Sequence, residues 1–82
     1  MDASSLKRPV HPMPGDVKQS LTQLGLMPHY RLRPAYQQND YIAWITRAKR
    51  PETRQKRLDQ MLYELRTGDR YMGMAYQANM PE

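Results

Sequence analysis

The chain contains no cysteine and no phenylalanine, and its apolar runs are only a few residues long. Without cysteine, neither a disulfide nor a thiolate metal site can hold a small fold together. Without about 20 consecutive apolar residues there is no membrane-spanning helix, so no membrane insertion is expected. The opening residues MDASSLKRPV lack the apolar stretch of a signal peptide, and the expected compartment is the cytoplasm. The four glycines are isolated from one another, so no phosphate-cradling loop exists. At 82 residues the chain supports one small domain. A domain of that size buries only about 60% of the surface its unfolded chain exposes, which excludes a large enzyme fold with a deep pocket.

Charge is present, and it is localised. Residues 47 to 57 read R-A-K-R-P-E-T-R-Q-K-R and hold Arg47, Lys49, Arg50, Arg54, Lys56 and Arg57 against Glu52 alone. That block accounts for the whole net charge of +5, because the basic and acidic residues elsewhere cancel. An electrostatic partner is expected to find the protein there.

Between an N-terminal arm and a C-terminal tail the apolar pattern is helical. Residues 1–14, MDASSLKRPVHPMP, hold three of the seven prolines and little periodicity; they read as a flexible arm. A first helix is predicted from Asp16 to Leu24, with Asp16 as its cap and Val17, Leu21 and Leu24 at i, i+4, i+7. Gly25 suits the left-handed position after a helix, Leu26 and Met27 form an apolar latch, and Pro28 forbids continuation. A connector follows over 29–33, with room for a helical turn around Tyr30 and Leu32. A second helix is predicted from Pro34 to Lys49, with Tyr41, Trp44, Ile45 and Ala48 on one stripe and Trp44 at the centre of the core. A third runs from Pro51 to Thr67, with Pro51 at its first position, Leu58, Met61, Leu62 and Leu65 as its stripe, and Gly68 as its stop. Arg54 falls on that stripe, so its stem should be buried and its guanidinium should meet carbonyls ending the second helix, or a carboxylate such as Asp40. Residues 71–82 keep no firm period and read as a tail that packs Tyr71 or Met72 and then frays.

Residues 41 to 58, Y-I-A-W-I-T-R-A-K-R-P-E-T-R-Q-K-R-L, carry one further signal. Tyr41, Trp44 and Ile45 precede Ala48, Lys49, Pro51, Glu52, Thr53 and Arg54, and Lys56, Arg57, Leu58, Leu62, Leu65 and Gly68 continue the run. Upstream stands P-G-D-V-K-Q-S-L-T-Q-L-G-L. This arrangement, covering about residues 14 to 70, resembles the helical module of the bacterial bacteriocin-protection, YdeI/OmpD-associated family. The resemblance implies a role around bacteriocin tolerance or an outer-membrane porin. It implies no reaction and carries over no catalytic residues.

Chemistry read from the residues alone is thin. His11 lies between prolines and His29 follows Pro28, and neither has a ligand-like partner at i+4. Ser4, Ser5 and Ser20 have no nucleophile context. Asp59 and Glu64, five apart, read as solvated. No catalytic residue, metal site or cofactor is expected. The basic block has two readings. In one, Arg47, Lys49 and Arg50 compensate the helix dipole and Lys56 and Arg57 are solvated. In the other, Arg47, Lys49, Arg50, Lys56 and Arg57 form a partner or anion surface, helped by free N–H groups at Pro51 to Thr53. Acids on the outer face of the third helix (Asp59 and Glu64, beside Tyr63) oppose base-specific DNA reading. The expectation is therefore an all-α, three-helix domain over 15–70 that acts as a non-enzymatic interaction module binding a protein partner. A small nucleic-acid-binding protein is the alternative, and the oligomeric state stays open.

Overall fold

The computed structural model describes residues 11–81, so the first ten residues of the arm predicted over 1–14 lie outside the described residues. Four helices follow in order: α1 (Gly15–Gln23), α2 (Met27–Leu32), α3 (Ala35–Arg47) and α4 (Pro51–Thr67). A two-stranded antiparallel hairpin, β1 (Arg70–Tyr71) and β2 (Met74–Ala75), closes the fold. The protein is thus predominantly helical as expected, with one more helix than expected and a hairpin where the sequence shows no period.

The extra helix stands where the sequence predicts only a connector with a helical turn around Tyr30 and Leu32. Pro28 lies outside α1 and at the start of α2, where its missing N–H leaves no partner unsatisfied. Asp16 does not cap α1. Pro14 holds the cap position with no side-chain hydrogen bond, and Asp16 lies in the first turn. At the other end of α1, Gly25 N–H donates to Thr22 O (3.2 Å) and Leu26 N–H to Leu21 O (2.8 Å). This double closure turns the chain sharply and buries Leu26 beside Leu21. Leu24, predicted on the apolar stripe, caps the helix instead and is 60% exposed.

The core joins Val17 and Leu21 of α1, Tyr30 of α2, Tyr41, Ile42 and Ile45 of α3, and Leu58, Met61 and Leu65 of α4. Its centre is Tyr41, with no exposed surface. Trp44, predicted to hold that place, is half-buried at the rim. One residue past the Tyr41–Ile42–Ile45 face, a ring that wide spreads over the edge of the core, in keeping with tryptophan's size.

Gly68 ends α4 with φ 75°, and a Cβ there would run into the sulfur of Met80. Packing continues past residue 70: Tyr71 and Met72 lie against the core, Tyr76 N–H donates to Asp69 O and Ala78 N–H to Gly68 O. The hairpin turn places Met72 (φ 52°) and Gly73 (φ 81°) both in the left-handed region, as two-residue hairpin loops require. For Met72 that conformation carries a strain that surrounding structure must offset.

Candidate functional site

The offset comes from Glu64, read from the sequence as solvated but only 2% exposed. Its Oε1 accepts from the Tyr41 hydroxyl (2.5 Å) and Met72 N–H (2.9 Å), and its Oε2 from Gln60 Nε2 (3.0 Å) and Gly73 N–H (2.8 Å). Four donors satisfy a carboxylate that would otherwise be costly to bury. Two of them come from the strained turn, so Glu64 holds the hairpin on α4. Burial, and then the hydrogen bond to Glu64, pushes the Tyr41 phenol well above its ordinary value.

Beside it lies Arg33, 3% exposed, which the sequence reading did not single out. Its Nη2 donates to Glu64 O (3.0 Å) and Arg70 O (2.9 Å), and its Nη1 to Gln37 Oε1 (3.2 Å). The guanidinium also faces the rings of Tyr76 (5.0 Å) and Tyr41 (6.0 Å). Arg33 therefore joins the entry of α3, the end of α4 and the hairpin. The only sequence signal for it is an arginine between Leu32 and Pro34, beside the helix start and two residues after Arg31. The Glu64 carboxylate and the Arg33 guanidinium are thus engaged by contacts within the fold.

The predicted corner is built differently. α3 ends at Arg47, Ala48 caps it, and Arg50 stands in extended conformation before α4. Pro51 opens α4 and Glu52 lies in its first turn, as predicted. Arg47, Lys49, Arg50 and Lys56 are all exposed. Among the described residues their side chains make no hydrogen bond or ion pair. Arg57 is engaged: its Nη1 donates to Trp44 O (2.7 Å), and its guanidinium lies 5.3 Å from the Trp44 ring centre. The clamp onto the carbonyls ending α3, predicted for Arg54, is thus made by Arg57. Arg54 instead reaches across to Asp16 of α1, with Nη1 on Oδ2 and Nη2 3.3 Å from Oδ1. Its side chain is 30% exposed rather than buried. The Arg54 hydrogen bonds hold the Asp16 carboxyl below its ordinary value. Thr53 is half-buried in the first turn of α4, and Asp40 is bonded by the Tyr71 hydroxyl (2.9 Å), not by Arg54.

Electrostatically the corner is net positive, with four cations that are unpaired among the described residues and Glu52 as the acid beside them. Because Glu64 points inward, Asp59 is the remaining acid of the pair read on the outer face of α4. His11 N–H donates to Asn39 Oδ1 (2.7 Å), and His29 lies in α2. Among the described residues no three His, Asp or Glu side chains gather as a metal site, and no helix is long and apolar enough to cross a membrane. A second surface is an open groove of about 510 Å³ between α4 and the α1–α2 turn, lined by Leu24, Leu26, His29, Leu62, Tyr63 and Arg66 among others.

With this geometry in view, residues 12–68 match the model of a family described as bacteriocin-protection, YdeI or OmpD-associated. The match takes in α1 to α4 and ends at Gly68, before the hairpin. No curated protein and no solved structure matches the chain significantly.

Proposed function

The chain belongs to the bacteriocin-protection, YdeI or OmpD-associated family, and from that premise we propose that it is a non-enzymatic interaction module that docks an acidic protein surface on its α3–α4 corner. The observation that carries this reading is the set Arg47, Lys49, Arg50 and Lys56, exposed and unpaired on a corner whose backbone is fixed from both sides. Arg57 ties α4 to the end of α3, and Arg54 ties α4 to α1. The free cations are therefore displayed on a rigid support, which lowers the ordering cost of binding. Charges of one sign steer an oppositely charged partner and set its orientation.

Nucleic acid is the second reading, and the inward turn of Glu64 favours it by removing one acid from the outer face of α4. Asp59 remains there and opposes a phosphate backbone along that face. The two readings separate in one experiment. Wild type and a Lys49→Glu, Arg50→Glu, Lys56→Glu variant are immobilised and challenged with nuclease-treated bacterial extract, and each is titrated with random-sequence duplex DNA at low and high salt. Salt-sensitive capture of a protein by wild type alone, with unchanged melting of the variant, supports the protein reading. Salt-dependent binding of the duplex, lost in the variant, moves the assignment to nucleic acid. Equal behaviour of wild type and variant removes the corner as a site.

A further inference from the structure

The outward edge of α4, from Asp59 to Arg66, has an internal symmetry, although Leu62 also leans on the core. Asp59, Leu62, Tyr63 and Arg66 stand at i, i+3, i+4 and i+7, one face of the helix. Asp59, Tyr63 and Arg66 are exposed and Leu62 half-buried. The order along the axis is acid, apolar, apolar, base, centred between Leu62 and Tyr63. Laid antiparallel on itself, this face sets Asp59 opposite Arg66 and Leu62 opposite Tyr63, and then repeats the same contacts in reverse. A two-fold interface demands this kind of self-complementarity.

The surroundings fit a second copy. The face borders the groove, whose other wall is Leu24, Gly25, Leu26 and His29. Leu24 is 60% exposed and Tyr63 53%, so both offer apolar surface to cover. His29 Nδ1 is buried with no hydrogen-bond partner. A tyrosine hydroxyl can donate to it or accept from it, and Leu62, which this pairing sets opposite Tyr63 of a second copy, lines the same groove. Arg66 rests near the Tyr63 ring of its own chain (5.8 Å), and Asp59 accepts only from Gln55 (2.9 Å). Neither charge is committed to an ion pair among the described residues. We propose that the α4 face and its groove form an antiparallel homodimer interface, with Asp59 of each copy paired to Arg66 of the other around a Leu62–Tyr63 centre. The basic corner at the far end of the α4 stripe stays outside this contact, so the dimer displays two corners.

A face this small belongs to the weak, transient class of interfaces. The test is sedimentation equilibrium of the full 82-residue chain from about 10 μM to about 1 mM, a range that brackets such affinities. The wild-type mass should rise from 9.7 kDa towards twice that value. Asp59→Arg and Arg66→Asp, each placing like charges opposite one another, should lower the association constant at least about tenfold. The double swap Asp59→Arg, Arg66→Asp should restore it, and the two single variants mixed in equal amounts should pair with each other. Both positions are exposed, and equal helicity by circular dichroism separates loss of pairing from loss of fold. A wild type that stays monomeric throughout overturns the proposal. So do single variants that associate like wild type, or a double swap that fails to recover.

Discussion

At the N-terminal side of α3, Arg33 is 3% exposed and spends its donors on Gln37, Glu64 O and Arg70 O. At the C-terminal side, Arg47, Lys49 and Arg50 stand in solvent with no partner among the described residues. The buried cation holds the fold, and the exposed ones are free to meet something else. The difference follows from acceptors. Where a helix end, a carboxylate and a strained turn converge, a planar five-donor fork satisfies several carbonyls at once. Where only a short loop joins two helices, there are too few acceptors for three cations, and they remain hydrated.

The sharpest way to break this contrast is Arg33→Met, which keeps the stem and removes the donors. Gln37 Oε1, Glu64 O and Arg70 O each lose a charged donor, Glu64 O keeping the Gly68 N–H, and a loss of about 3 kcal/mol is expected. In a domain whose total stability lies near the low end of about 5–15 kcal/mol, urea denaturation should show a largely unfolded protein at modest denaturant. A midpoint within a few tenths molar of wild type would mean that Arg33 is not the joint between α4 and the hairpin.

Next in size is Trp44→Ala. A fully buried tryptophan costs about 3–5 kcal/mol on truncation. Trp44 is partly exposed at the rim of the core, so a loss below that range, about 2 kcal/mol, is expected, less than for Tyr41→Ala under the same conditions. The reverse order in thermal melts would restore Trp44 to the centre of the core.

A smaller effect comes from the surface tie. The Arg54 hydrogen bond depresses the Asp16 carboxyl below 3.8, so the folded state favours the ionised form. Its contribution is complete above the ordinary carboxylate range and disappears as pH falls through the depressed folded value. With 54% of the Asp16 side chain exposed, solvent screening limits it to about 0.5 kcal/mol. Asp16→Asn should therefore be slightly less stable than wild type at pH 7, with the gap closing as pH falls through the depressed folded value. A gap that persists in acid would assign the effect to something other than ionisation.

The smallest expected effect is at the corner itself. Reversing Lys49, Arg50 and Lys56 should change stability by no more than about 0.5 kcal/mol while removing partner binding. A large loss of stability there would make the corner a structural element like Arg33.

What the sequence by itself determined was local and periodic. The span of α4 follows from Pro51, the Leu58–Met61–Leu65 spacing and Gly68, and it is found as predicted. The turn after α1 follows from Gly25, and the family resemblance from the run between Tyr41 and Leu58 is confirmed by the match over 12–68. These features depend on residues within a few positions of one another. Tertiary structure alone decided which polar groups are inside. Glu64 and Asp59 are two acids on one helix, and only the arrival of the hairpin N–H groups at Glu64 separates buried from exposed. Arg54 and Arg57 are one turn apart, and only the placement of α1 and α3 directs one to Asp16 and the other to Trp44 O. Side chains of equal chemistry are sorted by acceptors brought from distant parts of the chain, and no period in the sequence records where those acceptors will be.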